Sequence, residues 1–300
     1  TQIKRQPGST MKPLAVYTPA LEAGYKFDSE LVDKKKSYGS NHYTPKNYNN
    51  VYQGKVPMYE ALAQSMNAPA VWLLNQIGVN RGYQSVKDFN IPVTKKDKNL
   101  ALALGGLSSG VSPQQMAGAY TAFANGGKVL KPFYIRKIVD STGKVVVDNT
   151  AKQDGRQIMP ASVSKQMTSM MLGVFNNGTG ADAKPYGYSV AGKTGTAQKP
   201  QGGVYGQERI ASFIGFAPVE KPRIAAIIIL DEPQSPVKYG GVIAAPFFST
   251  IARDTLKYLG VKPESKEEGN VQISGENSII VPNLLHLPRD EAVTTLSRVN

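Results

Sequence analysis

The alternation of apolar and polar positions divides the chain into helices, a late group of strands and a polar tail. Residues 9–23 predict a helix, with Ser9 near its start and Gly24 near its end. Residues 25–56 are rich in Tyr, Asn, Lys and Pro, show little periodicity and read as loop. VPMYEALAQSMNAPAVWLLNQIG (56–78) predicts two helices, the second closed by Gly78, with a break at Asn67-Ala68-Pro69. Pro69 biases Ala68 away from the helical region, so Ser65 and Asn67 lie at the break and not inside a helix.

SPQQMAGAYTAFANGG (112–127) has a Ser-Pro start and a Gly-Gly stop and predicts a helix. FYIRKIVDSTGKVVV (133–147) predicts a hairpin turning at Ser141-Thr142-Gly143, and 161–175 a helix whose Met and Leu positions suit a core. Strands follow at 188–197, 209–217 and 223–230. The last, RIAAIIIL, is apolar on successive residues, as a central strand buried on both faces would be. An amphipathic helix at 245–260 could cover that sheet. KPESKEEGN (262–270) then reads as a linker, and the thirty residues beyond it are too few for an independent core.

The 300 residues suit one large domain or two small ones, and 41% hydrophobic residues allow a proper core. No apolar run is long enough to span a membrane, and the start carries no signal-peptide pattern. A polar opening without Met suggests a fragment whose anchor or export signal would lie upstream. The absence of cysteine excludes disulfides, thiolate nucleophiles and cysteine-ligated metals. With only His42 and His286, a multi-histidine zinc site is excluded and a Ser-His-Asp triad is short of bases, so lysine is the base to look for. The net charge of +13 is dispersed, with Lys34-Lys35-Lys36 as the single run, and no nucleic-acid motif accompanies it.

Ser-x-x-Lys occurs four times, at Ser9–Lys12, Ser141–Lys144, Ser162–Lys165 and Ser235–Lys238, where about two are expected by chance. Ser141 falls in the hairpin turn, Ser235 precedes a proline, and Ser162 suits a helix cap. Ser9 alone joins a Pro-Gly turn, a helix start and an apolar face. Residues i and i+3 share a helix face, so the Lys12 amine can serve the Ser9 hydroxyl if desolvation or a nearby cation lowers its pKa. By itself Ser9 would still read as an N-cap. Ser65-Met66-Asn67 adds a hydroxyl and an amide at a helix break, though about one such triplet is expected by chance. Lys193-Thr194-Gly195 occurs once and is rarer. On its strand Lys193 supplies a cation, Thr194 and Thr196 hydroxyls, and Gly195 a bare backbone that a ligand could approach.

Ser-x-x-Lys, Ser-x-Asn and Lys-Thr-Gly in that order are the signature of penicillin-recognising serine enzymes. Over nearly all of 1–260 the chain resembles the transpeptidase domain of high-molecular-mass penicillin-binding proteins of Gram-positive type. RQPGSTMKP, YEALAQSMNAPAV, LGGLSSGVSPQQMAGAY, NNGTGADA, VAGKTGTAQ, RIASFIGFAP and YGGVIAAPFF follow one another in family order. The early blocks look like bifunctional, class A enzymes, and the stretch from about 209 like monofunctional, class B ones. VPNLLHLPRDEAVTTL (281–296) resembles the opening of a PASTA domain, with His286 where a glycine is usual.

The resemblance implies an α/β (α+β) penicillin-binding transpeptidase or serine β-lactamase-like fold. An antiparallel sheet flanked by helices joins an all-helical subdomain, here without the two strands that family members place before the nucleophile. It implies a transpeptidase domain at 1–261, a linker at 262–279 and the start of a PASTA domain at 280–300. It also implies D,D-transpeptidase chemistry on peptidoglycan stem peptides, with a D-Ala-D-Ala donor, an amine acceptor and β-lactams as acylating mimics. Carried over by residue, Ser9 would be the nucleophile, Lys12 its base, Ser65 the proton relay and Asn67 the holder of the substrate amide. Lys193 would keep Lys12 neutral and attract the substrate carboxylate, which Thr194 and Thr196 would bind beside Gly195. The backbone N–H groups of Ser9 and Thr196 would form the oxyanion hole. No cofactor, metal or nucleic acid is implied, and the place of action is the outer face of the bacterial cytoplasmic membrane or the cell wall, with membrane contact only through an upstream anchor. A D,D-carboxypeptidase shares all three motifs, and a truncated, catalytically incompetent binding module is the non-enzyme alternative. A class A β-lactamase would need a Glu-x-x-Leu-Asn element, which is absent.

Overall fold

In a computed structural model, which describes residues 3–40, 42–150, 155–185, 187–201 and 204–263, the apolar stretch after Pro7 winds continuously but not uniformly. Gly8–Met11 form a 3-10 turn, Pro13–Tyr17 a π segment, and Thr18–Glu22 the short helix α1. Pro13 has no N–H to offer the preceding turn. The winding widens there, so that Thr18 N–H reaches back to Pro13 O. Met11, Leu14, Ala15, Val16 and Tyr17 are fully buried, making this segment the axis of the core.

The stretch read as loop, 25–56, carries a short strand near each end. β1 (Glu30–Asp33) and β2 (Gly54–Pro57) pair antiparallel, with Leu31 opposite Val56 and both buried. Four residues each were too few to show a period. Helices α2 (Met58–Ala63), α3 (Ala68–Ile77) and α4 (Val79–Asp88) follow. The break falls at 64–67, earlier than the Asn67-Ala68-Pro69 expected: Ala68 and Pro69 open α3, where the N–H that proline lacks would have no helical partner, and Ser65 and Asn67 lie in the break. Helix α5 (Pro113–Ala124) opens on a capping box in which Ser112 and Gln115 each accept the other's backbone N–H. Strand β3 (Lys128–Val129) pairs with β6 (Arg156–Gln157), and β4 (Lys137–Val139) with β5 (Val145–Asp148) forms the predicted hairpin. Helix α6 (Ala161–Asn176) leads to the main sheet: β7 (Ala191–Gln201), β8 (Val204–Ala217) and β9 (Ile224–Asp231), antiparallel in that order. Helices α7 (Gly240–Ile243) and α8 (Ala245–Tyr258) close the described chain. Phe213 of β8 stacks between Phe175 of α6 and Phe248 of α8, at centroid distances of 4.9 and 4.7 Å, and so pins both helices to the sheet.

One expectation is corrected here. The unbroken apolar run of β9 predicts a central strand, but among the described residues β9 pairs with β8 alone, and Ile224–Leu230 are only half-buried. Hydrophobicity records that both faces need cover; it does not say which segment supplies it. The main sheet therefore counts three strands among the described residues. The linker beyond 263 and the PASTA-like 280–300, His286 included, lie outside the described residues.

Strand β7 is the other edge of the sheet, and the 3-10 turn packs directly on it. This contact depends on glycine. Gly8 has φ +56°, and a Cβ there would lie 2.9 Å from Thr196 O. Gly105 backs onto the same turn with φ +76°, and its Cβ would lie 2.3 Å from Gly8 O. Gly105→Ala is therefore expected to destabilise the fold. The left-handed backbone alone costs roughly 1–3 kcal/mol, before the clash with a main-chain oxygen that cannot turn aside. A urea midpoint unchanged from wild type would contradict this packing.

Candidate active site

Ser9, Lys12, Ser65, Asn67 and Lys193 come from three distant parts of the chain and meet where the 3-10 turn, the α2–α3 break and strand β7 converge. Lys12 is at the centre. Its side chain has no solvent exposure, and its Nζ donates to Ser65 O at 2.6 Å, Asn67 Oδ1 at 2.7 Å, Met66 O at 3.0 Å and Ser65 Oγ at 3.4 Å. The whole Ser-Met-Asn turn is thus wrapped around one amine. Ser65 takes φ +55°, a left-handed conformation uncommon for a residue with a side chain, which bends the chain sharply after α2. None of the four bonds goes to Ser9, in keeping with the loose geometry that nucleophile–base pairs show before substrate arrives.

Lys193 is equally buried. Its Nζ donates to Thr194 O at 3.1 Å and Thr194 Oγ1 at 3.4 Å. Burial pushes the Lys193 amine down to about 7. Burial, and then the neighbouring charge of Lys193, hold Lys12 well below the ordinary lysine range. Two amines packed close together cannot both stay protonated without a carboxylate. Neither has an ion-pair partner among the described residues.

Ser9, half-buried, opens onto a cavity of about 330 Å³ that Asn67, Thr196, Gln6 and Tyr43 also line. The other Lys-Thr-Gly residues do not line it. Thr194 is buried with its hydroxyl 2.7 Å from that of Thr179. The missing Cβ of Gly195 leaves room for Pro7 O, Thr10 and Ser212, within 2.3 to 3.0 Å of where it would stand. The sequence assigns that space to a ligand; in the fold, Ser212 of β8 and the segment bearing Ser9 fill it together. Thr196 Oγ1 accepts the N–H of Gly240 at 3.2 Å. Gly240 is itself confined, since its Cβ would meet Ser212 O and Gly195 O.

Sequence reasoning missed the residues that hold this arrangement. Tyr120 OH donates to Thr10 O at 2.8 Å and Thr10 Oγ1 to Pro7 O at 2.7 Å, clamping the turn from α5. Asn47 accepts the N–H groups of Asn67 and Ala68, at 2.9 and 3.0 Å. Only the clustering of Pro and Asn in TPKNYNN hinted at an ordered loop.

A family model described as the penicillin binding protein transpeptidase domain matches residues 1–253. The chain is 45% identical over 215 residues to penicillin-binding protein 1F of Bacillus subtilis (strain 168), covering 71% of this chain and 29% of that protein. It is 43% identical over 201 residues to penicillin-binding protein 2a of Streptococcus pneumoniae serotype 2, covering 66% and 26%. It thus spans less than a third of the length of these curated relatives. Among solved structures, the D,D-transpeptidase domain of a peptidoglycan glycosyltransferase from Eggerthella lenta superposes with a TM-score of 0.71 at 22% identity, over 86% of this chain and 67% of that one. The TP domain of penicillin-binding protein 3 from Burkholderia pseudomallei gives 0.71 at 23%, over 86% and 80%. At these identities the structures establish the shared fold.

The buried amines generate a prediction of their own. Lysine in the unfolded chain keeps its proton to about pH 10.4, while folded Lys193 gives its proton up near 7. Between those values the unfolded state binds more protons, so stability rises with pH. Urea midpoints should climb from pH 7 to 10, and Lys193→Met should flatten that climb. Parallel profiles for the two proteins would mean that Lys193 keeps its charge in the fold.

Proposed function

The chain belongs to the penicillin-binding protein transpeptidase family, and on that premise we propose that it is a serine D,D-transpeptidase of peptidoglycan, acylated by β-lactams. The observation that carries the reading is the enclosure of Lys12 by Ser65, Met66 and Asn67 beside a second buried amine, with Ser9 open to the cavity. A serine hydroxyl is a poor nucleophile until a neutral base takes its proton, and an amine held below the usual lysine range is such a base.

Ser9 Oγ attacks the carbonyl of the penultimate D-alanine while its proton passes to Lys12 Nζ. The developing oxyanion is received by the backbone N–H groups of Ser9 and Thr196, on the two segments that Gly8 and Gly195 bring together. The proton travels on through the Ser65 hydroxyl, which lies 3.4 Å from Lys12 Nζ, to the leaving D-alanine amine. Asn67, which also lines the cavity, holds a substrate amide. Thr196 and the Lys193 charge attract the terminal carboxylate, with Thr194 in support through Lys193 and Thr179. An amine of a second stem peptide then attacks the acyl-enzyme: the ester to Ser9 breaks, an amide forms, and the serine recovers its proton. The work is done at the outer face of the cytoplasmic membrane. Residues 1–261 form the transpeptidase domain, 262–279 a linker and 280–300 the opening of a PASTA domain.

Incubation with a fluorescent penicillin should add one molecule's mass to the chain, and Ser9→Ala should abolish the adduct. An adduct that survives Ser9→Ala would move the nucleophile to another serine. No adduct on the wild-type chain would overturn the enzymatic reading.

A further inference from the structure

An asparagine at a helix N-terminus ordinarily turns its side-chain oxygen onto the first free N–H groups of its own helix. Asn67 stands at that position before α3 and makes no such bond. Its Oδ1 accepts from Lys12 Nζ, and its Nδ2 donates to Lys46 O at 2.8 Å. Two other free N–H groups at the start of α3 are held by a distant side chain. Asn47 Oδ1 accepts both Asn67 N–H and Ala68 N–H. Asn47 is buried, and its Nδ2 donates to Asp33 Oδ1 at 2.7 Å and Val51 O at 2.9 Å. Asp33, fully buried at the end of β1, spends its second oxygen on Gln53 N–H at 2.8 Å.

Every atom in this chain has one workable orientation. The oxygen of Asn47 faces two N–H donors, and its nitrogen faces a carboxylate and a carbonyl, so a flipped amide would set donor against donor and acceptor against acceptor. The geometry points to Asn47 as a positioning residue for the reaction: oriented by the Asp33 carboxylate, it holds the backbone N–H groups of Asn67 and Ala68 at the start of α3 and so fixes the direction in which the Asn67 side chain faces Lys12 and the cavity. Residues 46 and 47 together hold Asn67 at its backbone and its amide, and Lys12 meets the third side. The inference rests on the serine-acylation reading above.

Acylation by a fluorescent penicillin tests it, with pre-covalent binding and the bond-forming rate resolved separately. Asn47→Ala should slow the bond-forming step on the order of tenfold to a hundredfold, as misplacement of a catalytic group by about an ångström does, with binding changed much less. Asn47→Asp sets two carboxylates against each other, and Asp33→Asn sets an amide donor against donors, so each should be impaired alone. The swap of both together restores every donor–acceptor pair except the bond to Val51 O, and should acylate faster than either single variant. That rescue is not expected of a loop whose role is only to fold, and it decides the matter if Asn47→Ala does not fold. Wild-type kinetics in folded Asn47→Ala, or a swap no better than the single variants, would overturn the positioning role while leaving acylation of wild type intact. A wild-type chain that takes no label would instead remove the reaction itself.

Discussion

Two buried amines with no carboxylate paired to them among the described residues are the constraint around which this fold is arranged. Burying a single unpaired ammonium is so unfavourable that the group gives up its proton instead. Lys12 and Lys193 sit together in the interior, and each is pushed down by burial, Lys12 also by its neighbour's charge. Lys12 is not left without partners, since two backbone carbonyls and an amide oxygen surround it. These acceptors favour the ammonium, burial and Lys193 favour the amine, and the balance falls toward the amine. A lysine of ordinary basicity is a stored proton; one held as the amine has the free pair that the proposed role of base requires.

Keeping the pair dry requires main chain to approach main chain, and that explains the glycines. Gly8, Gly105, Gly195 and Gly240 each stand where a Cβ would strike backbone or a buried hydroxyl. Together they let the Ser9 turn lie against strand β7, with the 101–106 segment behind it. The same closeness sets the backbone of the Ser9 turn beside that of Thr196. Packing and the proposed chemistry are therefore one requirement at this junction: what encloses Lys12 also brings the Ser9 turn against the backbone at Thr196, as the proposed reaction needs.

Much of this was legible in the chain. Helices α5 and α6, the hairpin and the three main strands follow from periodicity and from Pro and Gly punctuation, and Pro69 signalled a break beside Ser65 and Asn67, although it opens α3 and the break itself lies just before it. The order of the three motifs marked Lys12 and Lys193 before any geometry was known. What stayed hidden is instructive. β1 and β2 were too short to show a period. The 3-10 and π winding after Pro7 looks like any helix in its apolar spacing. The edge position of β9 depends on what pairs with it, which its own residues do not encode. Asn47 and Asp33 carry no motif, because their function is to satisfy N–H groups created by a turn twenty residues away.

The central claim is that Lys12 is the base and is neutral when Ser9 attacks. The pH dependence of the acylation rate of the wild-type chain tests it most directly. If the account is right, the rate rises with pH along an ionisation below the ordinary lysine range and has stopped rising before that range is reached. A rate still climbing through pH 10 would show that the base keeps a normal lysine pKa, and would contradict the account.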